Sequence, residues 1–113
     1  MYYKQMAAGR WFEYPFDEQM ANIGSDVHRA IKWYKEKDVK LFTTAYDMAL
    51  ELFDLTIKDE RWEEKIEEII QIRERFCKLF SDTNSFKNLD DEFEQIDNYF
   101  FQYGLLVSLR KGR

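Results

Sequence analysis

The chain has one cysteine, one histidine, one proline and four glycines in 113 residues. Cys77 alone cannot close an internal disulfide, which fits a reducing compartment. Zinc needs several Cys or His ligands, and Cys77 and His28 are the only soft ones. A di-iron bundle needs Glu-x-x-His on paired helices, and the residue three before His28 is Ser25. The glycines, at 9, 24, 104 and 112, are too scattered for a phosphate-cradling loop. Small helical ribonucleases of the HEPN type place an arginine four to six residues before a histidine, whereas the nearest arginine upstream of His28 is Arg10, eighteen positions away. No cofactor and no metal are expected. Long apolar runs are missing too. The stretch GLLVSL (104–109) is far too short to cross a bilayer, and the opening residues lack the charged start and apolar run of a secretory signal. The expectation is a cytoplasmic protein with no membrane segment. A net charge of −5 disfavours nucleic acid as a partner for the whole surface.

What is abundant is aromatic: ten Phe, seven Tyr and three Trp in a chain that is 45% hydrophobic and 35% charged. With so little proline and glycine, this composition belongs to packed helices, and the length suits a single domain, 1–113, with one core. The aromatic excess implies a bulky core, rings presented to a partner, or both.

Residues 1–15 end at the only proline and read as an irregular N-terminal arm. Tyr3, Trp11, Phe12 and Tyr14 make it a candidate interface, docking along its own bundle or along a second subunit. From Asp17, the series Met20, Ile23, Val27, Ile31 and Tyr34 has helical spacing and predicts a first helix over about 17–36. Gly24 inside it costs roughly 1 kcal/mol against alanine, so close approach of a neighbouring helix is expected to offset it. Asp38 is a plausible cap for a second helix through Ile57, apolar over most of its circumference and therefore the expected central helix. A third, capped by Asp59 and spanning about 60–81, carries glutamates early and Arg73, Arg75 and Lys78 late, as the helix dipole favours. The Ser, Asp and Asn of 81–88 mark a loop. A fourth helix from about Asp90 turns Phe93, Ile96, Phe100, Tyr103 and Val107 inward. The fold class is all-α, an antiparallel bundle of about four helices.

Three constellations stand out. Asn22, Asp26, Arg29, Asp54 and Arg73 fall at inward or edge positions and form a candidate polar network. A buried Arg73 needs a carboxylate, for which Asp54 is the first choice; the plainer role is fixing helix register. Residues 28–40 carry a net +3, and Arg29, Lys32, Trp33, Lys35 and Lys40 form a candidate basic-aromatic patch of the kind single-stranded nucleic acid uses. The plainer reading is a solvated helix end. Its counterpart, 47–68, carries −6. Ser25, Asp26, His28 and Arg29 lie close in sequence, but a nucleophile needs a base and an orienting group in hydrogen-bond reach, and one helix does not supply that geometry.

The stretches MAAGRWFEYPFDEQMANIGSDVHRAIKW (6–33), ALELFDLTI (49–57) and RERFCKLF (73–80) resemble a family of short prokaryotic proteins sharing a MAAGxWxxYPxxEQMANIGS-type beginning. Position 26 is more often Glu in that pattern and is Asp here, which keeps the acid. The resemblance covers most of the chain and implies a prokaryotic, intracellular setting, with no activity, cofactor or catalytic residue to carry over. The sequence therefore points to a non-catalytic binding or scaffolding module that self-associates into a homo-oligomer, a homodimer in the simplest case, through protein–protein interaction. The alternative is an RNA-binding or nucleotide-processing accessory protein.

Overall fold

A computed structural model describes residues 1–112. It is all-helical, with no strand among the described residues. Its α-helices are α1 (Lys4–Ala7), α2 (Phe16–Lys35), α3 (Val39–Ile57), α4 (Ile66–Ser81) and α5 (Leu89–Lys111), with short 3-10 turns at Arg10–Glu13, Glu60–Lys65 and Thr83–Ser85.

The N-terminal arm is not irregular. It folds into α1 and a 3-10 turn, reversing at Gly9, whose φ of 134° lies in a region closed to most side chains. Pro15 then supplies an extended residue immediately before α2. The reason for the order is Trp11, which is only 1% exposed. Its indole N–H donates to Thr56 Oγ1 at 3.0 Å, and its carbonyl accepts from Gln19 Nε2 at 2.9 Å. The indole thereby buries a large apolar area with its polar edge satisfied.

The cap read at Asp38 is present: its Oδ1 accepts from the Leu41 N–H at 3.0 Å. Before it, α2 closes through Lys37 at φ 61°, where the Lys37 and Asp38 N–H groups reach back to the carbonyls of Tyr34 and Trp33. The third helix starts later than its charge pattern suggests. Asp59 caps a 3-10 turn instead, and Trp62 departs from helical angles (φ −106°, ψ 27°), its indole N–H donating to Gln19 Oε1. Tertiary anchoring of that ring outweighs local helix propensity, so α4 begins only at Ile66. Asn88 caps α5, its Oδ1 accepting from the Asp91 N–H at 3.2 Å.

Side-chain pairs show how the helices run. The end of α5 meets the start of α2 through Arg110–Asp17 (2.8 Å) and Lys111–Glu18 (3.0 Å), while the end of α2 meets the start of α5 at Lys35–Asp90 (3.9 Å). Arg73 reaches from α4 to Asp54 on α3, and Arg75 from α4 to Glu92 on α5. The helix with the most extensive contacts is α2, which lies along both α3 and α5, rather than α3 as its apolar circumference suggested. Small residues explain this: Ala30, Ala45 and Ala49 are buried, and a Cβ at Gly24 would stand 2.5 Å from the Phe100 Cβ on α5. Backbones approach where side chains are small, so the close neighbour expected at Gly24 is α5.

The aromatic excess goes mostly inward. Tyr34, Phe42, Tyr46, Phe76, Phe80 and Phe93 form one cluster with ring centroids 4.9–5.8 Å apart. Of the twenty aromatic side chains, only Tyr2 and Phe101 are exposed.

Candidate interaction surface

Asp26 is fully buried on α2 and accepts hydrogen bonds from Tyr3 Oη (2.7 Å) and Arg29 Nη2. Burial pushes its pKa up; the hydrogen bonds from Tyr3 and Arg29 pull the other way. The Glu51 carboxylate receives the backbone N–H groups of Tyr2 and Tyr3, at 2.9 and 3.2 Å, so α2 and α3 jointly hold the N-terminal segment. The expected polar network is thus split. Asp26 and Arg29 meet. Asp54 and Arg73 meet elsewhere, at 2.9 Å, with the carboxylate exposed and the guanidinium partly so, because the pair sits on the outer edge between α3 and α4. A buried Arg73 is therefore corrected. Asn22 is exposed and belongs to neither pair.

A second, deeper network was not foreseen. Gln19, fully buried, donates to Asp59 Oδ2 at 3.0 Å and to the Trp11 carbonyl, and accepts from Trp62. Arg61 grips Asp59 through Nε (3.0 Å) and Nη2 (2.7 Å) and donates to the Tyr14 carbonyl. Burial would raise the Asp59 pKa, but the hydrogen bonds from Arg61 and Gln19 outweigh it and hold the carboxyl below its usual value. Among the described residues no buried side-chain N or O lacks a hydrogen-bond partner. These groups are spent on tying 1–15 to the helices.

The candidate arm interface changes accordingly. Trp11 lies in the core, and Tyr3, Phe12 and Tyr14 are partly buried against it. The arm covers its own helices. The basic-aromatic patch is also divided. Lys32 lies over the Trp33 ring at 4.7 Å from its centroid, Lys35 is shared between Asp90 and the Phe93 ring, and Arg29 is held by Asp26. Trp33 is half-buried against the core, and Lys40 stands apart from the others at the start of α3.

Ser25 and His28 reappear together on a shallow groove of about 410 Å³ between α2 and α5, with Ala21, Gly24, Asp97, Phe101 and Gly104 along it. His28 Nδ1 lies 3.2 Å from Asp97 Oδ2. A serine, a histidine and an aspartate suggest nucleophilic chemistry, but the setting does not support it. Ser25 Oγ donates to the Ala21 carbonyl at 3.3 Å, inside a helix whose interior N–H groups are already bonded, so no oxyanion donors face the hydroxyl. The nearest guanidinium, Arg29, is committed to Asp26.

Beside this groove stands the molecule's main uncovered apolar feature. Phe101, Leu105 and Leu109 recur every four residues on α5 and are 64%, 50% and 63% exposed, with Leu106 next to them at 49%. Ile96 and Phe100 occupy the opposite side of the same helix and are buried. The four-residue spacing is present in the sequence, but within GLLVSL it is masked by adjacent apolar residues that face other directions on the helix. Among the described residues no helix is long and apolar enough to cross a membrane, and no group of three or more His, Cys, Asp or Glu is placed to hold a metal ion.

Fold and surface together define an all-helical protein with a satisfied interior and one exposed apolar helix face. No family model matches the chain, and neither a curated protein nor a solved structure does.

Proposed function

We propose that the protein is a non-catalytic, self-associating binding or scaffolding module, built as an antiparallel four-helix bundle with the N-terminal segment strapped across it, and working in the prokaryotic cytoplasm. The observation that carries the reading is the exposed stripe Phe101, Leu105 and Leu109 on a protein whose other rings, Tyr2 apart, are buried or partly buried. Contiguous apolar surface of this kind marks a contact site on a small protein, and here it lies against a groove rather than on a flat face. Meanwhile the polar groups with unusual environments, Asp26, Gln19 and Asp59, are consumed by internal hydrogen bonds, which leaves no set of convergent reactive groups among the described residues.

Light scattering after size exclusion, over a concentration series from the low to the high micromolar range, tests the reading. The expected result is a mass that rises with concentration towards that of a dimer; a strict monomer throughout contradicts it. The RNA-linked alternative has less support, because Lys32, Lys35 and Arg29 already face Trp33, Asp90 and Asp26. Single-stranded RNA binding that weakens steeply with salt and disappears in Lys32→Glu with Lys35→Glu would favour it instead.

A further inference from the structure

The exposed ridge and the groove lie side by side on one face of α2 and α5. Phe101 belongs to both: it begins the ridge and walls the groove. Small residues, Ala21, Gly24, Ser25 and Gly104, line the groove, and a Cβ at Gly104 would meet nothing within 4 Å. A projecting ridge next to a hollow of small residues is a surface that can complement itself, which is what an isologous two-fold contact requires.

We propose that this face is closed by a second copy of the chain. The two-fold axis passes beside Leu105, the two α5 helices run antiparallel, and Phe101 of each copy packs against Leu109 and the groove rim of the other. The proposal rests on the self-association reading and adds its geometry. Leu105 is the midpoint of the stripe, so an axis there is the one that buries Phe101 and Leu109 together. The exposed parts of Phe101, Leu105, Leu106 and Leu109 amount to roughly 400 Å² of apolar surface per copy. Two copies with the groove rim bury on the order of 1,000 Å², the low end for a specific interface, so the dimer is reversible rather than obligate. Charge agrees. Each copy carries −5, but the stripe itself is uncharged, and the Arg29 guanidinium at its edge is already matched with Asp26. Two like-charged copies meet with least repulsion there.

Cysteine cross-linking tests the geometry. In a Cys77→Ser background, Leu105→Cys lies beside the axis and forms a disulfide-linked dimer under mild oxidation. Phe101→Cys does not link to itself, because its two copies are displaced by about 12 Å along the helices, beyond disulfide reach. A mixture of Phe101→Cys and Leu109→Cys does link. All three positions are exposed, and far-UV circular dichroism verifies that each variant is folded. If wild type dimerises by light scattering but Phe101→Cys links to itself faster than Leu105→Cys, or Leu105→Cys fails to link, the axis is wrong and self-association stands. If wild type stays monomeric, both fall.

Discussion

Gly24→Ala sets two effects of opposite sign against each other at the closest approach of α2 and α5. Replacing an interior helical glycine by alanine gains roughly 1 kcal/mol of helix propensity. The added methyl group, however, would stand 2.5 Å from the Phe100 Cβ, and the next atoms of that ring follow at 3.1 and 3.4 Å. Ordinary carbon contacts lie near 3.5–4.0 Å, so a gap of about 1 Å must open. The obstacle is a Cβ fixed to the α5 backbone, so it cannot swing aside as the tip of a long side chain would. Two helices must separate, or Phe100, buried against Phe53, must leave its place. Overpacking of this kind costs about 1–3 kcal/mol, and because the neighbour is backbone-linked the upper half of that range applies. The net expectation is a loss of about 1–2 kcal/mol, equivalent to a fall of roughly 4–8 °C in Tm for a domain of this size. Urea and thermal unfolding followed by circular dichroism measure it. Stability equal to or above wild type would refute the close crossing and return Gly24 to an ordinary surface position.

Other perturbations give outcomes of known sign. Thr56→Val keeps the shape but removes the acceptor for the buried Trp11 indole N–H, with an expected loss of about 1–3 kcal/mol; a change below the error of urea unfolding contradicts the anchoring of the N-terminal segment. Lys37→Gly relieves a left-handed backbone at an exposed turn and stabilises by about 0.5–1 kcal/mol, read as a higher urea midpoint. Tyr3, Tyr99 and Tyr103 are pushed up by burial, and Tyr46 to about 12 by burial and its hydrogen bond with Cys77. The unfolded chain therefore loses these protons first, and the stability they contribute is full below the ordinary tyrosine value near 10 and is lost as pH rises from there through the raised folded values. Tyrosinate absorbance from these four should appear together with unfolding; their titration near the ordinary value while the chain is still folded contradicts this. Asp59, held low by Arg61 and Gln19, contributes stability above the ordinary aspartate value that is lost as pH falls through its folded one; in Asp59→Asn that acid loss is smaller, and an unchanged acid limb contradicts the assignment.

The long helices were legible because each carries apolar residues at helical spacing, to which α2, α4 and α5 add a charge order that follows the dipole and α3 a capping aspartate. Arg73 donates to Asp54, the carboxylate its position between the helices called for. What the sequence hid was set by tertiary contacts. Residues 1–15 look irregular between a glycine and a proline, and only the burial of Trp11 against Thr56 and Gln19 shows why they are ordered. Trp62 reads as one more core ring, yet its bond to Gln19 converts the start of the third helix into a 3-10 turn. The interaction face was missed for a different reason. The helical period of α5 identifies its inward residues, and the outward period of Phe101, Leu105 and Leu109 becomes meaningful only once no other helix covers it.

Sedimentation equilibrium of wild type beside a Phe101→Glu, Leu105→Glu double variant bears most directly on the apolar face of α5. Wild type should fit a reversible monomer–dimer equilibrium, and the variant, with an unchanged helical circular dichroism spectrum, should remain monomeric at every loading concentration. Identical sedimentation of the two proteins would contradict the account.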